Sequence, residues 1–119
     1  VTISNNSMAE ARLKAGIWVS AQLRLCDQAL LPVVVRRKGD PDAGAILIKL
    51  DHLDGTCIVM SQVRTAEGEL AWMRATGETP APDAEGEDYI ARQLKFDPDI
   101  WVLEIEDPQS RYQLDGKLL

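Results

Sequence analysis

The apolar positions of this chain switch between a helical and an alternating period, and the switches mark its elements. From Ala15 to Leu31, Val19, Leu23, Cys26 and Leu30 recur at helical spacing. Trp18, Ala21, Leu25 and Ala29 widen that stripe, and Ser20, Arg24, Asp27 and Gln28 fall opposite it. This predicts an amphipathic helix facing a core. Pro32 stops it, lacking an N–H and disfavouring helical geometry at Leu31. Val33–Lys38 and Ala45–Leu53 then read as strands joined by Gly39–Gly44, a turn rich in Asp, Pro and Gly. Asp54-Gly55 predicts a tight hairpin of type I′, with positive φ at both residues. Thr56–Arg64 alternates as a third strand, Glu67-Gly68 offers a further turn, and Leu70–Ala75 makes a fourth strand. The pattern predicts a four-stranded antiparallel meander.

After the proline-punctuated connector Glu78–Asp83, a second helix is predicted. Asp83 would be its N-cap, Glu85, Glu87 and Asp88 its early anions, and Tyr89, Ile90, Leu94 and Phe96 its apolar stripe. Gly86 should weaken it by about 1 kcal/mol relative to alanine. Asp97-Pro98-Asp99 stops it. Ile100–Glu106 is then a strand with Trp101, Leu103 and Ile105 on one face and Val102, Glu104 and Glu106 on the other. The order α-β-β-β-β-α-β predicts a two-layer α+β domain: the meander, a C-terminal fifth strand at a sheet edge, and two helices on one face. Val33–Val35, Ile46–Ile48 and Trp101–Ile105 are apolar on both faces, so a second protomer would have to cover the other side. Residues 1–9 read as a flexible extension, 10–107 as the single domain, and 108–119 as a C-terminal tail without clear period.

Charge narrows the choice of partner. The 119 residues carry a net charge of −6, which argues against nucleic acid, where affinity comes from Lys and Arg neutralising phosphates. It argues equally against anionic membrane surfaces. No apolar run is long enough to cross a bilayer, and no secretory signal precedes the domain, so a cytoplasmic protein is expected. Cys26 and Cys57 lie far apart in apolar stretches and read as small buried hydrophobes, although spacing alone does not decide whether they meet.

Candidate chemistry is sparse. His52 is the single histidine; with two distant cysteines it forms no zinc spacing. No nucleophile elbow is present, and GDPDAG has neither a P-loop lysine nor a following helix. Asp97, Asp99, Glu104 and Glu106 read as turn residues and a solvated strand face. No catalytic residue, metal or cofactor is therefore expected. The binding candidates are Arg36, Arg37, Trp72, Trp101 and Glu104. Strand alternation sends Arg36 and Arg37 to opposite faces, and one of them would pair with Glu104 or Glu106 if the last strand lies beside the first. Trp18, Trp72 and Trp101 read first as core residues, and Trp72 or Trp101 on an uncovered face would instead be an interface anchor.

The stretches LKAGIWVSAQLR (Leu13–Arg24), VVVRRKGDPDAGAILIKL (Val33–Leu50), LDGT (Leu53–Thr56) and FDPDIWVLEIED (Phe96–Asp107) resemble the DUF1491 family of small alphaproteobacterial proteins. That resemblance implies a bacterial domain of unknown function and no activity. The functional expectation is a non-catalytic cytosolic interaction or assembly module, partnered by itself, as a homodimer, or by another protein. The alternative is a binder or enzyme acting on a small anionic ligand through Arg36, Arg37 and nearby carboxylates.

Overall fold

A computed structural model of the chain describes residues 14–114 and 116–119; the expected N-terminal extension lies outside them. The elements are α1 (Ala15–Gln28), β1 (Val33–Arg37), β2 (Ile46–Asp51), β3 (Thr56–Arg64), β4 (Leu70–Arg74), β5 (Ala81–Pro82), α2 (Asp83–Phe96), β6 (Trp101–Glu106) and β7 (Lys117–Leu118). The α+β class matches expectation, but the sheet is mixed. Its order is β1-β6-β2-β3-β4-β7, with β5 paired to the start of β3. β2, β3 and β4 form an antiparallel meander. β1 does not join it, because β6 inserts between β1 and β2, antiparallel to the first and parallel to the second. The last long strand is therefore central.

The two helices lie on opposite faces, which corrects the two-layer expectation to three layers. Strand parity decides this. Ile46, Ile48, Met60, Trp72, Trp101, Leu103 and Ile105 pack with Ala15, Val19 and Cys26 of α1. Leu47, Cys57, Val59 and Val102 pack with Ile90 of α2. A strand buried on both faces reads as a continuous apolar run. The run IWVLEI marks such a strand, and the chain covers both sides of it without a second protomer. Cys26 and Cys57 are both buried free thiols in different clusters, on opposite sides of the sheet.

The connection between β1 and β2 must pass over the entrance of β6, and this explains its glycines. A Cβ on Gly39 would strike the backbone of Asp99 and Ile100 and the Trp101 ring, and one on Gly44 would strike the same wall. The Asp40 amide donates to the Asp99 carbonyl (3.0 Å), and the Trp101 indole N–H donates to the Asp40 carbonyl (2.8 Å). Trp101 is thus a buried latch beneath the crossover.

Local geometry departs from expectation in several places. The stripe of α1 runs through Ala15, Val19, Gln22 and Cys26, leaving Leu25 and Leu30 exposed. Phe96 of α2 points outward as well. Asp83 is the first residue of α2, and its carboxylate bonds Lys49; the N-cap position belongs to Pro82. In the β2–β3 hairpin, positive φ falls on Leu53 and Gly55, with Asp54 between them. The helix α1 ends in a Schellman motif: the Leu31 amide donates to the Cys26 carbonyl and the Leu30 amide to the Asp27 carbonyl. Leu30 therefore occupies the left-handed position where glycine is usual, at φ 59°.

Candidate functional site

The residues singled out from sequence fall into two groups. Arg36 and Arg37 meet a β-bulge, since the β1–β6 register shifts between Val35 and Arg37. A bulge sets two residues against one, which breaks the alternation. Arg37 sits opposite Val102 and Arg36 reaches Glu87 and Glu104, so both lie on the α2 side. The expectation of opposite faces fails for that reason. Arg36 makes a two-pronged pair with Glu87 (2.7 Å for each prong) and a third bond to Glu104 (3.1 Å). Arg37 donates to the Pro98 carbonyl at 2.6 Å. Trp72 and Trp101 are both buried in the α1-side core, so neither can anchor an outside partner. Trp72 packs on Trp18 with ring centroids 5.4 Å apart.

Arg36 and Glu104 belong to a charge lock that holds α2 on the sheet. Asp83 and Glu87 are one helical turn apart, a repulsive spacing unless a cation answers both. Lys49 of β2 does so, with Nζ 2.5 Å from Asp83 and 2.6 Å from Glu87. Burial alone would lower the Lys49 pKa, but the bonds to Asp83 and Glu87 and the nearby charge of Glu104 win and raise it. The same lock depresses Glu87 to about 2, chiefly through its hydrogen bonds from Arg36, against a desolvation that works the other way. A depressed carboxylate stabilises the fold above its ordinary pKa and loses that contribution as pH falls towards the folded value. Glu87 is 36% exposed, so screening reduces the effect to about 1 kcal/mol. Urea unfolding between pH 5 and pH 2 should show stability falling with pH, and Glu87→Gln should flatten that limb. An unchanged slope in Glu87→Gln would show that another carboxylate governs it.

A cleft lies on the α1 side, where α1 does not reach. It encloses about 320 Å3. Its floor is Leu50, Ile58, Met60 and Trp72, from β2, β3 and β4. Its wall is the C-terminal segment, through Tyr112, Leu114 and Leu118. That segment, expected to be a tail, is tied down by specific bonds. Asp107 is buried, and its carboxylate accepts the amides of Arg111 (2.7 Å) and Tyr112 (2.8 Å). The Tyr112 hydroxyl donates to Gln22 (2.7 Å), and the Leu119 amide donates to the Trp72 carbonyl (2.8 Å). β7 then pairs parallel to β4.

His52 and Arg74 bring polarity to this cleft. Both lie in line with the residues of its floor, His52 two residues after Leu50 and Arg74 two after Trp72. The Arg74 guanidinium makes no hydrogen bond or ion pair among the described residues. His52 Nδ1 lies 3.5 Å from the Thr56 hydroxyl, which itself donates to Asp54 at 2.6 Å. Both oxygens of Asp107 are taken by backbone amides, so it is no free base. The arrangement suits binding: an apolar floor, one cation without an acidic partner and a neighbouring imidazole. Of the binding candidates named from sequence, Trp72 lines the cleft, as does His52, which the sequence offered for no metal site. Arg74 was missed, although its alternation with Trp72 was readable.

Among the described residues, no helix is long and apolar enough to cross a membrane, and no three His, Cys, Asp or Glu side chains converge in a way that could hold a metal ion.

The family model described as protein of unknown function (DUF1491) matches residues 13–115. The fold is similar to the crystal structure of a DUF1491 family protein from Caulobacter crescentus CB15, at 35% identity and TM-score 0.79, covering 90% of this chain and 99% of that one. It is similar also to an NMR structure of a DUF1491 family protein from Caulobacter crescentus CB15, at 35% identity and TM-score 0.78, covering 91% and 97%. The solution structure of protein Atu0922 from A. tumefaciens matches at 27% identity and TM-score 0.69, covering 81% and 86%. No curated protein matches the chain.

Proposed function

This chain belongs to the DUF1491 family of proteins of unknown function, and from that premise we propose that it is a non-catalytic cytoplasmic binding protein whose α1-side cleft takes a small molecule with an apolar body and an anionic end. The observation that carries this reading is Arg74, a guanidinium without a partner among the described residues, at the edge of an apolar cleft of about 320 Å3. That volume falls at the small end of the usual range for ligand pockets. Ligand contact with Leu50, Ile58, Met60 and Leu114 would remove apolar surface from water. The anion would meet Arg74, a planar donor suited to carboxylate or sulfonate. The anionic ligand expected at Arg36 and Arg37 is assigned here to Arg74, because Glu87, Glu104 and the Pro98 carbonyl already occupy the other two arginines.

The probe is anilinonaphthalene sulfonate, which combines an aromatic body with one fixed negative charge. Titration should raise its fluorescence and move the amide resonances of Leu50, Met60, Arg74 and Leu114 in the folded protein. Losing a charge-assisted hydrogen bond costs about 1.5–3 kcal/mol, so Arg74→Gln should weaken binding by about tenfold or more. The reading fails if Arg74→Gln binds as wild type does, or if the shifted resonances lie outside the cleft.

A further inference from the structure

We propose that the apolar groove beside Leu30 and Leu53 is a two-fold interface between two copies of this chain. Both leucines hold the left-handed backbone conformation, each at φ 59°. That region suits glycine or asparagine and is poor for a branched apolar side chain. Neither leucine is compensated by burial within its own chain, since Leu30 is 83% exposed and Leu53 56% exposed. The turns use the backbone conformation, but a leucine in place of glycine gains nothing inside its own chain, and that points to a use outside the fold. The two come from distant parts of the sequence, the end of α1 and the β2–β3 turn, yet they line one groove of about 250 Å3. Pro32 and Pro108 add to its apolar wall.

The rim indicates what fills it. Glu106 and Arg111 both line this groove, and both are exposed. A two-fold contact places each residue of one copy against a different residue of the other, reciprocally. Glu106 of each copy would then face the partner copy's Arg111, giving two ion pairs around an apolar centre. Arg111 keeps free donors for this, since its bond to the Ala29 carbonyl uses one nitrogen, Nη2. An acidic or basic partner protein would instead need a rim of one sign. The protruding Leu30 supplies the knob and the groove supplies the hole.

The test is sedimentation equilibrium of the full chain from about 10 µM to about 1 mM, the range of weak association. Wild type should show a monomer–dimer equilibrium. The double variant Leu30→Gly/Leu53→Gly should raise the dissociation constant by about tenfold or more. Glycine suits both backbone positions, so its thermal midpoint should stay equal or rise. Glu106→Arg should weaken association, and Glu106→Arg combined with Arg111→Glu should restore it. Arg74→Gln, which tests the cleft, should leave association unchanged. A wild type that is monomeric throughout, or a glycine double variant that dimerises as wild type does, overturns the proposal.

Discussion

Lys49→Ala is expected to cost about 3 kcal/mol of folding stability, the largest effect of any single change considered for this protein. Lys49 sits in the buried run Ile46–Lys49 and is 3% exposed. Its ammonium holds Asp83 and Glu87 on the α2 face, close to Glu104. Truncation would take from Asp83 its ion pair and leave Glu87 and Glu104 to Arg36 alone. Removing one partner of a buried ion pair strands the others, which is worse than never having built the pair. The carboxylates are partly exposed, so water softens the loss, and the estimate sits at the low end of the usual 3–5 kcal/mol. Lys49→Met keeps the aliphatic stem and should cost less. Adding Asp83→Asn and Glu87→Gln to Lys49→Met should recover most of the deficit, since the stranded charges are then gone. Urea midpoints at constant slope would measure all of these. A loss under about 1 kcal/mol for Lys49→Ala would mean that the lock is a solvated cluster with no structural weight. The raised lysine pKa makes this stabilisation depend on pH at the alkaline end as well. Its contribution is complete below the ordinary lysine pKa and fades as pH rises beyond it.

The second large effect reverses a sequence expectation. Helix propensity alone says that Gly86→Ala should stabilise α2 by about 1 kcal/mol. Packing says otherwise. A Cβ at Gly86 would run into the Sγ of Cys57, with a Val59 methyl also in contact. Cys57 and Val59 are fully buried on β3, and Gly86 is where α2 comes down onto that strand. Overpacking costs about 1–3 kcal/mol, and a Cβ that falls on the Sγ itself puts this site at the upper end; less the propensity gain of about 1 kcal/mol, Gly86→Ala is expected to destabilise by about 2 kcal/mol. Cys57→Ala clears the space. The double variant Gly86→Ala/Cys57→Ala should therefore be more stable than the two single losses add up to, by about 1 kcal/mol or more. Simple additivity in that cycle would place the cost elsewhere than at the Gly86–Cys57 contact. Burial also raises the pKa of the Cys57 thiol, in keeping with a packing role.

The candidate site was less legible than the fold. The lock needs β6 beside β1 to bring Glu104 to Arg36, and sequence reading anticipated that pair only on this condition. The partnership of Asp83 and Glu87 with Lys49 was hidden because it joins a helix and a strand far apart in sequence, and Asp83 looked like an ordinary cap. The cleft was hidden for another reason. Its wall comes from Tyr112, Leu114 and Leu118, in a stretch with no period long enough to register, and Tyr112 is held by its hydrogen bonds to Asp107 and Gln22. Trp72 was expected in the core, where it lies, but that it also floors a cleft could not be read from a strand whose neighbours were unknown.

What the sequence determined by itself was local. It set the two helices, the strand segments, the Asp-Gly hairpin between β2 and β3, and the shared face of Trp101, Leu103 and Ile105. Period, proline stops and turn chemistry act over a few residues and need no partner to be read. The tertiary structure alone decided that β6 enters between β1 and β2, that the helices take opposite faces, that a bulge turns Arg36 and Arg37 to one side, and that Gly86 must remain small. Strands apolar on both faces are satisfied equally by a second helix or a second protomer. Only the non-local burial of Leu47, Val59 and Val102 beneath Ile90 of α2 distinguishes the two.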